Sequence, residues 1–443
     1  MESCAEIEPT NHTFTVPIAD KFVACRLLKT KLPGSDIDVY LIDQPHYFDR
    51  PGLYNEAGAG DYKDNCERFC FYCQAVMEAI DQLKLDVDIV HCHDWQTGLI
   101  PAYIKTRFKR YAWMERARSI MTIHNLAYQG RFWHLDMPLT GLDWKHFNWQ
   151  EMEFYGDLNF LKTGIVFADT VTTVSPTYAE EIKTEEHGCG LESILQDRGD
   201  SLIGIVNGVD YTHWNPSTDE HLPQNYSLEN WKTDKRICKQ ELQKELGLEQ
   251  RDDVPVVGIV SRLADQKGWD LIIPLLLHWA QSHEVQWAIL GTGDPRYEKQ
   301  LAELAELYPQ KIAAKLAFSE GVAHRIEAGC DMFLMPSRYE PCGLNQLYSL
   351  KYGSIPVVHS TGGLADTVID TTPKSLAEGK ANGFCFAGYS LEELEKTLTR
   401  AVETYLHQPG QWAQIVDSGM RMDWSWNKSA SRYLQVYGAT MER

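Results

Sequence analysis

Short apolar runs without internal alternation recur along the chain, at residues 88–91, 119–124, 170–174, 202–206, 254–260, 285–290, 312–318, 332–335 and 355–358. Each has the pattern of a strand buried on both faces, as in a parallel sheet. Between them lie stretches with apolar residues at helical spacing, notably 64–82, 232–246, 344–352, 391–405 and 412–416, and a last helix from about 423 to 437. Alternating strands and helices predict an α/β protein. The start is different. Residues up to about 11 read as a loose end, 14–30 and 36–45 as two strands around a turn at Leu32-Pro33-Gly34-Ser35, and 46–65 as a long polar loop.

Residues 330–368 organise the rest. They spell strand, polar loop, helix, strand, glycine loop, helix. Pro341 suits the first turn of the first helix, Gly353 stops it, and Thr361-Gly362-Gly363 leads into a second helix near Leu364. In a parallel sheet both loops lie at the carboxyl ends of strands, where ligands bind. Glu340 stands at the first mouth; a lone loop Glu is usually solvated, but its setting between Tyr339 and Pro341-Cys342-Gly343 favours a function. Gly362 and Gly363 allow close backbone approach at the second.

Other candidates follow from residue type and place. Arg262 and Lys267 sit five residues apart on a strand-to-helix turn, which suits a diphosphate held by a fork and a point charge; a solvated basic pair is the plain alternative. His91, His93 and Asp94 invite a zinc reading, but alternate strand residues point to opposite faces, so Asp94 does not join the two histidines. Cys66, Cys70 and Cys73 on one helix face form core more often than a metal site. His124 at a strand's carboxyl end reads by default as structural. Phe318, at the end of the apolar run 312–318, reads as a core residue. Gly291-Thr292-Gly293 is a weak nucleotide-loop signal, and Lys162-Thr163-Gly164 lies in a helical pattern and is no phosphate loop.

Length and charge narrow the class. A chain of 443 residues suggests two domains, here placed at 1–225 and 226–415 with a linker near 219–230 and a C-terminal helix over 416–443. Lys+Arg 42 against Asp+Glu 62 gives a net charge of −20, which disfavours nucleic acid or an anionic membrane as main partner. No run of 18 apolar residues predicts a membrane span, and the acidic, polar start lacks a signal peptide's pattern. Eleven cysteines, an odd number without paired spacing, suit a reducing cytoplasm. Oligomeric state is not legible.

PSRYEPCGLNQLYSLKYG followed by STGGLADTV closely resembles the bacterial glycogen synthase and plant starch synthase family, and HCHDW, TIHNLAYQG and SRLADQKG match it elsewhere. The resemblance implies a GT-B fold: two Rossmann-like domains facing across a cleft, with the C-terminal helix crossing back to the first. It implies retaining transfer of glucose from ADP-glucose to the non-reducing end of an α-1,4-glucan, with nucleotide sugar and glucan as partners and no metal or other cofactor. Carried over residue by residue, the catalytic set is Glu340, His124, Asp94, Arg262 and Lys267. The substrate-binding set is Asn125, Asn207, Phe318, Cys342, Gly343, Leu344, Thr361, Gly362 and Gly363. The second Glu of many enzymes of this broad fold is replaced by Tyr348. The family's early K-x-G-G-L loop is not found; Lys29-Thr30-Lys31-Leu32-Pro33-Gly34 lacks the paired glycines, and the first domain reads as shortened at its start. This keeps open a non-catalytic, glucan-binding or regulatory remnant. A phosphorylase would need a lysine-bound pyridoxal phosphate, which no segment suggests.

Overall fold

In the computed structural model, strand Val256–Val260 pairs in parallel with Gln286–Leu290 on one side and Met332–Met335 on the other. The sheet continues to Ile312–Lys315 at one edge and through Ile355–His359 to Phe384–Phe386 at the other, giving six strands, all parallel. Strand order therefore runs outward in both directions from Val256–Val260. Such an order creates a switch point where the first strand meets the fourth, and the loops leaving their carboxyl ends diverge there to leave a ligand crevice. Every residue of Gln286–Leu290 and Ile355–His359 is buried, which explains why apolar residues run through them without alternation, with polar Gln286 and His359 only at the ends. The core includes Trp269, Trp279, Trp287, Phe333, Tyr352 and Phe384.

The structure describes residues 6–56, 60–106 and 110–442. Chain contacts divide it into two units, the first made of residues 1–173, 181–203 and 434–443, the second of 174–180 and 204–433. The first unit holds a sheet in the order Leu202–Gly204, Thr170–Thr173, Arg118–Ile123, Ile89–His93, whose last three strands pair in parallel. Thr170–Thr173 is a strand of β-branched residues whose hydroxyls are satisfied internally: Thr172 meets the Thr122 hydroxyl at 2.6 Å and Thr173 donates to the Ile123 carbonyl at 2.8 Å. The final helix, Trp426–Met441, ends in this unit, where the Thr440 hydroxyl meets that of Thr170 at 2.8 Å and the Tyr437 hydroxyl lies 2.9 Å from Nδ1 of His91.

Several sequence expectations are corrected. The beginning is not a loose end followed by two strands. Glu8–Ile18, Lys21–Lys31 and Asp38–Asp43 form a three-stranded antiparallel sheet, and the first hairpin turns at Ala19, which adopts φ 51° without any glycine to announce it. The segment 46–65 is not all loop, since it carries the short helix Pro45–Phe48 and the pair Asn55–Glu56 with Gly60–Asp61; residues 57–59 lie outside the described ones. The polar segment 219–230 is no linker. Asp219 is buried and accepts from the Tyr352 hydroxyl at 2.5 Å and sits 2.7 Å from His324 Nδ1, while the Tyr226 hydroxyl donates to the Tyr352 carbonyl at 2.7 Å. These ties put 204–225 in the second unit rather than the first. Pro341 does not open a helix; it stays in the loop and the helix runs Asn345–Tyr352, ended as expected by Gly353 at φ 68°. No helix of the described residues is long and apolar enough to cross a membrane.

Candidate functional site

At the second unit's switch point the loop leaving Val260 runs through Ser261 to Lys267, and the loop leaving Met335 runs through Pro336 to Leu344. They are stitched together. The Arg338 N–H donates to the Gln266 carbonyl at 2.9 Å, Asn345 Nδ2 donates to the Val260 carbonyl at 2.7 Å, and Gly268, at φ 80°, lies so close that an added Cβ would meet the Pro336 carbonyl at 2.1 Å. This scaffold joins Lys267 to Glu340: Nζ lies 2.6 Å from Oε2, and the Ser337 hydroxyl donates to the same oxygen at 3.0 Å. Glu340 is only 5 % exposed, so its charge is compensated by a close cation and a hydroxyl in a poorly solvated place. Arg262 is exposed, its guanidinium near Gln266 Oε1 at 3.4 Å and its carbonyl fixed by Trp269 Nε1 at 3.0 Å. The two cations are thus in different states, one paired and one open to solvent.

The glycine loop packs on the acid's loop. The Gly363 N–H donates to the carbonyls of Glu340 at 3.1 Å and Pro341 at 3.2 Å, and an added Cβ at Gly362 or Gly363 would strike the carbonyl of Glu340 or Cys342. The close approach made by these glycines is therefore to the chain's own residues 340–342. Thr361, buried, precedes the helix Gly362–Thr367. Cys342 is buried, and its thiol is pushed up to about 12 by burial, against a backbone hydrogen bond from Asn207. That bond ties Asn207 to the same loop. Gly343 adopts φ 70°, and Leu344 is exposed. Phe318 lies beyond the strand that ends at Lys315 and is 92 % exposed, so the core alternative is overturned. Gly291 and Gly293 pack against the carbonyls of Ser261 and Leu263, and Asp294 caps the helix Pro295–Leu307, which gives the GxG pattern a structural use. Tyr348 stacks flat on Trp214, with ring centroids 3.8 Å apart.

In the first unit, Asp94 follows strand Ile89–His93 with a positive φ of 55° and an extended ψ of −175°. Its Oδ1 accepts the His124 backbone N–H at 2.8 Å, and the Asn125 backbone also bonds to it; burial raises the carboxyl and these bonds pull it back. Asp94 thus anchors the turn that carries His124 and Asn125. Asn125 Oδ1 accepts the Ala127 N–H at 3.1 Å, a local turn that holds the segment. Gln129, further along, bridges Asn159 and the Cys189 carbonyl, joining TIHNLAYQG to the turn at 185–190. Burial lowers His124 from its ordinary value. His91 and His93 share a face, their rings stacked 4.4 Å apart, and among the described residues no cluster of metal-ligating side chains occurs. Lys29 pairs with Asp38 at 2.8 Å on an antiparallel strand, far in character from a phosphate loop.

The sequence reading missed Ser337, Gln266 and Gln346. Gln346 Nε2 donates to the carbonyls of Cys342 at 3.0 Å and Gly343 at 3.1 Å from inside the following helix. Ser337 could have been found from its place directly after a strand, three residues before the acid; Gln346 looks like any polar helix residue.

Residues 1–197 match the family model described as starch synthase catalytic domain, and residues 240–414 the model described as glycosyl transferases group 1. A glycogen synthase of Rhodopirellula baltica is 50 % identical over 449 aligned positions, covering 99 % of this chain and 88 % of the relative. One of Pseudothermotoga lettingae is 42 % identical, with the same coverage. The catalytic domain of starch synthase IV from Arabidopsis thaliana, bound to ADP and acarbose, superposes with a TM-score of 0.91 at 30 % identity, covering 100 % of this chain and 90 % of that one. Sucrose-phosphate synthase from Thermosynechococcus elongatus shares the fold, with a TM-score of 0.55 at 16 % identity over 87 % of this chain and 81 % of that one.

Proposed function

The chain belongs to the glycogen synthase and starch synthase family of GT-B glycosyltransferases, and we propose that it transfers glucose from ADP-glucose to the non-reducing end of an α-1,4-glucan with retention of configuration. The observation that carries the site assignment is the Lys267–Glu340 pair at the switch point. Transfer breaks the bond between glucose C1 and the diphosphate oxygen and forms one from C1 to an acceptor hydroxyl oxygen. Negative charge grows on the departing diphosphate and positive charge on the sugar ring. Arg262, open to solvent, and Lys267 neutralise the first. Glu340 holds glucose hydroxyls and favours the second. Phe318 offers its exposed ring to the adenine, and Gly343, Leu344, Thr361, Gly362 and Gly363 frame the sugar and phosphates with backbone. In the first unit, His124 and Asn125 contact the transferred sugar, and Asp94 acts by fixing the turn that presents them. The acceptor proton leaves with the help of the nucleotide, and no resident cofactor is invoked.

Incorporation of labelled glucose from ADP-glucose into glycogen, with UDP-glucose in parallel and Glu340→Ala as control, tests this. Incorporation from ADP-glucose that Glu340→Ala abolishes is the expected result. Glycogen binding without incorporation by the unaltered chain would replace the enzyme with a glucan-binding protein.

A further inference from the structure

His93 is used by none of the roles above, yet its Nδ1 lies 3.0 Å from Nε2 of His124. A hydrogen bond between two imidazole nitrogens needs an N–H on one and a lone pair on the other, so the facing nitrogens share one proton and cannot both carry one. His93 is itself clamped. Its other contact is the ring of His91, stacked 4.4 Å away, and His91 is held by the Tyr437 hydroxyl at 2.9 Å and the Thr122 hydroxyl at 2.6 Å. The backbone of His124 is held separately, by the Asp94 carboxylate at 2.8 Å. Main chain and ring of His124 are thus fixed by consecutive residues, Asp94 and His93. Among the described residues Nδ1 of His124 has no hydrogen-bond partner, so that nitrogen is left for an outside group.

We propose that His93 is a positioning residue that selects one tautomer and one ring orientation of His124, so that His124 presents Nδ1 to the sugar in a single protonation form. This rests on the transferase reading for its purpose, though not for its first test. Ring nitrogen shifts of protein labelled with 15N-histidine, without substrate, report the tautomer directly. In the unaltered protein His124 shows one protonated and one bare nitrogen; in His93→Ala the two move toward averaged values. His93→Asn, whose amide reaches the place of Nδ1, restores the single form, and His93→Gln, whose amide lies further out, does not. In glucose transfer, His93→Ala lowers kcat about tenfold or more while the donor KM changes less than about threefold, and His93→Asn recovers most of the loss. An unchanged His124 tautomer in His93→Ala, or in His93→Gln should the alanine variant not fold, overturns the proposal even if activity falls. If no variant or parent transfers glucose, the nitrogen shifts still decide the His93–His124 relation, and only the transferase reading is lost.

Discussion

Lys267 Nζ and Glu340 Oε2 lie 2.6 Å apart across the switch point, one belonging to the loop after the first strand of the second unit and the other to the loop after the fourth. Lysine to alanine leaves the buried carboxylate with the Ser337 hydroxyl as its remaining side-chain partner among the described residues. Lys267→Ala should therefore cost about 2 kcal/mol of stability. The double variant Lys267→Ala, Glu340→Gln should cost clearly less than the sum of the two single changes, as urea unfolding would show. The ligand arm separates the roles. Lys267→Ala should weaken ADP binding about tenfold, whereas Glu340→Gln, which frees the ammonium from its partner, should leave ADP affinity equal or higher in calorimetry while removing transfer.

Phe318 carries the opposite signature, a large ring that buries almost nothing. Phe318→Ala should shift stability by less than about 0.5 kcal/mol, as surface substitutions do. If the ring stacks on adenine, the change should cost about 1–3 kcal/mol of donor binding, seen as a rise of about tenfold in the KM for ADP-glucose. A change in melting temperature without a change in KM would return Phe318 to a structural part.

The second unit was legible because its strands are buried on both faces and their loops follow a pattern that chemistry restricts. Gly353 ended its helix where the sequence said, and 332–335 and 286–290 needed no tertiary information. The misreadings share a cause. Ala19 turns a hairpin in a left-handed conformation that its side chain does not advertise, and 219–230 looked like a solvated linker because the partners of Asp219, His324 and Tyr352, are far along the chain. The same holds for the site. Glu340 and Lys267 were nameable from motifs, but their pairing spans 73 residues, and the use of Asp94 to hold the His124 backbone depends on a parallel register, Cys92 beside Met121 and His93 beside Thr122, that no local pattern encodes.

The histidine cluster makes stability depend on pH. Burial, followed by the charges of His93 and His124, lowers His91 to about 3, and burial lowers His93 and His124 as well. The unfolded chain binds these protons near the ordinary value of about 6.5 while the folded chain does not. Between about 3 and 6.5 the unfolded state therefore holds more protons, and stability rises with pH through that window and falls on acidification. Asp94, raised by burial, works the other way at the acid end. The melting temperature should climb from pH 5 to pH 7, and His91→Gln should flatten the slope. An equally steep slope in that variant would assign the effect to other groups.

Gly362 and Gly363 press against the acid's own loop, so their replacement tests whether Glu340 is held from behind. Gly362 has φ 43°, and an added Cβ would come within 2.1 Å of the Glu340 carbonyl oxygen; at Gly363 it would come within 2.0 Å of that of Cys342. Backbone atoms cannot step aside as a flexible side chain can, so alanine must move residues 340–342 as a body. Gly379 supplies the control, with φ 67° and nothing within 4 Å of an added Cβ. Gly379→Ala should cost about 1 kcal/mol from backbone strain alone and leave transfer intact. Gly362→Ala and Gly363→Ala should cost more, and should lower kcat by at least about tenfold because a small displacement of the acid is enough to misplace it. Equal loss of stability in Gly362→Ala and Gly379→Ala, with activity kept in both, would show that the glycine loop does not set the position of Glu340.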